Sequence, residues 1–100
     1  MDREADKYGR ANGAVFARLA MNGRGQEALQ YIKDQKLADS RREDPVYTQE
    51  MYDDKIKEVE GIISLASSNR VRSMLEAHGF EYGTDKYAVA ISDLYNLQSQ

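Results

Sequence analysis

Residues 45–69 read PVYTQEMYDDKIKEVEGIISLASSN, and the spacing of their apolar side chains decides the fold. Tyr52, Ile56, Val59, Ile63 and Ala66 recur at intervals of four, three, four and three, the repeat of one face of an α-helix. Ile62 and Leu65 widen that face toward its carboxyl end, which predicts deep burial there. Asp44 offers an N-cap acceptor and Pro45 suits the first helical position, so the helix is expected to begin at Asp44. Thr48, followed by Gln49 and Glu50, is the alternative start. Ser67-Ser68-Asn69 breaks the pattern with three capping residues. Val71, Met74, Leu75 and Ala77 then define a short helix closed by Gly79.

Upstream, Ala5, Tyr8, Ala11 or Asn12, Val15, Phe16 and Leu19 keep helical spacing, predicting a helix over Arg3–Met21. Gly9 and Gly13 each cost about 1 kcal/mol relative to Ala, so they either weaken this helix, the preferred reading, or let another backbone approach it. Asn22-Gly23-Arg24-Gly25 is a helix stop, and a second helix over Gln26–Leu37 turns Ala28, Leu29 and Ile32 inward, with Tyr31 as an optional member of that stripe. Between it and Pro45 lies the most polar stretch, Asp39-Ser40-Arg41-Arg42-Glu43-Asp44.

Residues 80–91 admit two readings. Phe80-Glu81-Tyr82 and Tyr87-Ala88-Val89-Ala90-Ile91 suit two short strands about a turn. Thr84 equally caps a helix whose inner stripe is Tyr87, Ala90 or Ile91, Leu94 and Leu97 or Gln98, and this is the preferred reading. The expected fold class is therefore all-α: one domain, a compact bundle of four to five short helices with the third as its central element, and a short β-hairpin near 80–91 as the alternative.

The 100 residues are 41% hydrophobic and 31% charged, enough apolar surface for one core and too much for a disordered chain. No cysteine is present, which excludes a disulfide framework, a thiolate nucleophile, a Cys-ligated zinc site and an iron–sulfur cluster. No apolar run reaches the roughly 18–20 residues of a bilayer span, and Met-Asp-Arg-Glu-Ala-Asp-Lys at the start lacks an apolar signal core, so a cytoplasmic location is expected. The net charge of −3 argues against non-specific nucleic-acid binding as the main task.

No nucleophile–base pair, metal cluster or phosphate loop can be assembled, so neither cofactor nor metal nor catalysis is expected. His78, the only histidine, stands where a helix carboxyl end attracts a cation, which is reason enough for it. Glu50, Asp54 and Glu58 stand at i, i+4 and i+8, an acidic ridge offset in part by the neighbouring Asp53–Lys57 pair. Residues 39–69 hold eight acids against four bases and so carry the acidity of the chain. Seven of its nine aromatic residues are tyrosines. Tyr8, Tyr52 and Tyr87 are expected at the core rim, and Tyr31 and Tyr47 outside it, where phenols serve interfaces.

These features predict a small, acidic, non-catalytic protein-binding module. Its docking residues would be Glu50, Asp54, Glu58 and Tyr47, and its partner a protein with a basic groove. A regulator or inhibitor of the kind encoded by phages and mobile elements fits such a chain on base rates, and a homodimer is a further option. The rival expectation is a winged-helix-like nucleic-acid binder using Arg70, Arg72 and Lys86, with 68–91 supplying a recognition helix and a hairpin.

Overall fold

A computed structural model describes residues 13–99, and every regular element among them is helical: α1 (Gly13–Met21), α2 (Gly25–Ser40), α3 (Gln49–Ser67), α4 (Asn69–Ala77) and α5 (Asp85–Gln98). The expected first helix enters this description only from Gly13. Ala5, Tyr8, Gly9, Ala11 and Asn12 lie outside the described residues.

Hydroxyl caps set three of the starts. Thr48, Ser68 and Thr84 accept the N–H bonds of Met51 (3.1 Å), Val71 (3.2 Å) and Tyr87 (3.3 Å), each satisfying one donor that a helix leaves open at its amino end. The Thr84 cap resolves the ambiguity at 80–91: Asp85 onward is helix, and no hairpin forms there. The stops are equally local. Beyond α4, the N–H groups of Gly79 and Phe80 return to the carbonyls of Glu76 (3.1 Å) and Leu75 (2.9 Å). This closure places Gly79 at φ +87°, which a side chain would oppose. Gly23 and Arg24 close α1 with the same pair of bonds.

Two boundaries differ from expectation for one reason. α3 begins at Thr48 and not at Asp44, and α2 runs to Ser40, one turn past Leu37. Asp39 links the two changes: its carboxylate accepts the N–H bonds of Val46 and Tyr47, so those donors are satisfied outside a helix and residues 45–47 need not join α3.

α3 touches all four other described helices and is the central element, with α1 lying against α5, α3 and α2. The core is built from Phe16 and Ala17 of α1, Ala28, Leu29 and Ile32 of α2, Val59, Ile62 and Ala66 of α3, Leu75 of α4, and Tyr87, Ala88 and Ile91 of α5. Gly13 acts as a contact residue here: a Cβ would come within 2.5 Å of Ser92 Oγ and 3.0 Å of Ile62 Cδ1, so its small size lets α1 approach α5 and α3 closely. Of the two roles expected for it, close approach of a neighbouring element is thus the one the packing supports, in place of the preferred one of weakening the helix. No helix among the described residues is long and apolar enough to cross a membrane.

Candidate functional site

Packing orients α3 by burying Val59, Ile62 and Ala66, and this leaves Glu50, Asp54 and Glu60 exposed. Glu58 is not part of an open ridge with them. It is half-buried, lies 3.3 Å from Lys55 Nζ, and Lys55 stands 5.3 Å from the centre of the buried Phe16 ring. The widening of the apolar face toward Ile62 draws the Glu58 side of the helix inward, so two members of the predicted trio, not three, face outward freely. Asp53 pairs with Lys36 of α2 and not with Lys57. A cross-helix partner has displaced the i, i+4 one, and it ties α2 to α3.

The element that shapes this surface is Asp39, which the sequence presents as one more charge in a polar run. It is 1% exposed. Its Oδ1 accepts from Val46 N–H (3.0 Å), its Oδ2 accepts from Tyr47 N–H (3.0 Å) and from the Tyr52 hydroxyl (2.8 Å), and Arg42 Nη1 lies 3.7 Å from Oδ1 at the solvent side. The Tyr47 and Val46 amides hold the carboxyl below its usual range, against the desolvation that burial imposes, with Tyr52 and Arg42 adding to them. The Tyr52 hydroxyl is pushed up to about 12 by burial first and then by its bond to Asp39. A buried carboxylate with this many donors is a structural hub, and it fixes the return of the chain from α2 to α3.

The hub determines where Tyr47 goes. Tyr47 packs edge-on against Tyr52, with ring centres 5.9 Å apart and planes at 89°, and is half-buried. The expectation of an exposed Tyr47 is corrected to a partly covered one; Tyr31, read both as an optional inward residue and as an exposed one, is likewise partly covered. Val46, next to Tyr47, is the residue left outside, at 62% exposure. Val46 and the outer edge of Tyr47 are thus held next to the start of α3, which carries the Glu50 carboxylate.

The residues of the rival reading are dispersed in purpose. Arg72 stacks on Tyr82, 3.9 Å from guanidinium to ring centre, and bonds Glu76 through Nε at 3.2 Å. Arg70 is exposed near the start of α4. Lys86 lies on α5, on the edge of a shallow cleft, because the hairpin that would have carried it beside a recognition helix is not formed. His78 caps α4, with Nδ1 2.8 Å from the Met74 carbonyl oxygen.

Tyr87, expected at the rim, is fully buried, edge-on to Tyr82 at 5.1 Å, and its hydroxyl has no hydrogen-bond partner among the described residues. Burial raises its pKa, and Tyr82 adds to the effect. Among the described residues no three His, Cys, Asp or Glu side chains gather in a way that would hold a metal ion. The 41–48 loop and the start of α3 together present charge and apolar surface. Compared with known protein families, curated proteins and solved structures, the chain matches none.

Proposed function

We propose that this chain is a non-catalytic protein-binding module that docks through the 41–48 loop and the exposed start of α3. One observation carries the reading: Asp39 accepts the Val46 and Tyr47 amides, so Val46 and the edge of Tyr47 are held at the start of α3, the helix that carries Glu50 and, one turn on, Asp54. A surface ordered before binding loses less conformational entropy when a partner arrives, and an apolar contact edged by acids suits a partner groove with basic rims. The excess of acids in residues 39–69 supplies the long-range attraction. Action as a regulator or inhibitor, by covering the basic groove of another protein, is the biological role this chemistry fits.

Capture of partners by the intact chain and by a Glu50→Gln/Asp54→Gln variant of equal helicity tests the reading. A partner held by the parent, released by moderate salt and lost to the variant is the expected result. Capture that is indifferent to both substitutions and to Val46→Ser overturns it.

A further inference from the structure

α5 carries a second apolar face. Tyr87, Ala88 and Ile91 point into the core, which turns Lys86, Val89, Asp93 and Leu97 to the opposite side. Val89 is 48% exposed and Leu97 67%. Phe80, Val89 and Ala90 floor an open cleft of about 320 Å³, with Asp85, Lys86 and Asp93 along its edges. Asp85 is 3.6 Å from Arg18, whereas Lys86 and Asp93 form no ion pair among the described residues.

The order of these residues is self-complementary. Lys86 and Asp93 are two helical turns apart, about 10 Å along the axis, with Val89 and Ala90 between them. The midpoint falls between Val89 and Ala90, about 5 Å from each charge. If a second α5 is laid antiparallel about a two-fold axis through that midpoint, each Lys86 meets Asp93 of the other copy, the Val89–Ala90 steps face one another, and Leu97 extends past the start of the opposing helix toward its Phe80. The unpaired charges of the cleft cancel, so no field there selects a strongly acidic or basic foreign partner; two opposite charges placed evenly about an apolar centre select a copy of themselves.

We infer that the outer face of α5 is an isologous interface through which two copies of this chain associate. This face is separate from the α3 surface and does not depend on the function proposed for it. The interface is small, one helix and the cleft beside it, so association in the micromolar range or weaker is expected.

Sedimentation equilibrium on the full chain, with helicity followed by circular dichroism, tests the inference. The parent is expected to pass from monomer to dimer as concentration rises. Lys86→Asp alone and Asp93→Lys alone each place like charges at both contacts and are expected to weaken the dimer roughly ten- to hundredfold. Mixing those two variants restores both opposite-charge contacts, so the mixture is expected to dimerise where neither component does. The double variant Lys86→Asp/Asp93→Lys, in one chain, regains self-association; it preserves the total charge and decides the matter if a single variant folds poorly. A parent chain that stays monomeric to about 1 mM overturns the inference. So does a dimer unaffected by either single substitution, or a mixture with no gain over its components.

Discussion

Two polar side chains are buried at different corners of this bundle, and their surroundings differ in kind. Asp39, between α2 and α3, is charged, and three donors and a nearby arginine surround it. Tyr87, at the start of α5, is neutral, and its hydroxyl has no partner among the described residues. A charge cannot be buried on such terms, because desolvation would drive it to its neutral form. A phenol can, since the ring gains more from burial and from its edge contact with Tyr82 than the hydroxyl loses. The first group dictates the path of the backbone around it; the second follows from packing that other side chains set.

The largest expected effect comes from Asp39→Ala, which strips the acceptor from two backbone amides and from the Tyr52 hydroxyl. Thermal unfolding should shift down by roughly 10 °C, and amide exchange at Val46 and Tyr47 should accelerate ahead of the helices. A variant that melts with the parent and keeps those amides protected would break the comparison, because the hub would then be incidental.

Acid and alkali act on the Asp39 hub from two sides. The pKa of Asp39 is lowered on folding, so its contribution is complete above the unfolded value near 3.8 and is lost as pH falls through the lower folded value. Asp39→Asn should therefore unfold with a shallower dependence on pH on the acid side than the parent. Tyr52 runs the other way: its pKa is raised from 10.0 to about 12, so its contribution is whole below pH 10 and declines as pH rises toward 12. Tyr52→Phe should remove that alkaline decline while lowering stability at neutral pH. Chemical denaturation at a series of pH values measures both slopes.

At the other corner, Tyr87→Phe should be neutral or should stabilise the fold by up to about 1 kcal/mol, because it removes an unsatisfied hydroxyl and keeps the ring. A clear loss in the denaturation midpoint would show that the hydroxyl has an interaction after all and erase the contrast between the corners. The smallest effect is expected from Glu50→Gln: relief of repulsion from Asp54 is worth about 0.2–0.5 kcal/mol, so stability should barely move even where partner binding does.

Much of the architecture was legible in local pattern. The Val59, Ile62 and Ala66 positions lie on the predicted face of α3, the helices at Ala28–Ile32 and Val71–Leu75 stand where periodicity placed them, and the preference for a helix over a hairpin after Gly83 agrees with the Thr84 cap. The candidate site was read less well, and for a definite reason. Glu50, Asp54 and Glu58 look equivalent along one helix, but Glu58 meets Lys55 beside the Phe16 ring, which depends on how α1 crosses α3. The Asp53–Lys57 pair obeys the spacing rule and yet gives way to Lys36, a residue seventeen positions earlier.

Sequence alone determined the helical class, the caps at Ser68 and Thr84 and the apolar faces, because each depends on residues within one or two turns of each other. Tertiary structure alone decided that Asp39 is buried and structural and that α5 keeps a second apolar face, and it chose Thr48 over Asp44 as the start of α3 and close packing over mere weakening as the role of Gly13. The environment of each of these groups is supplied by chain segments distant in sequence, and the sign of a charge's effect changes with that environment: the same carboxylate that is a solvated ornament on an open helix becomes, under a returning loop, the acceptor that holds the loop in place.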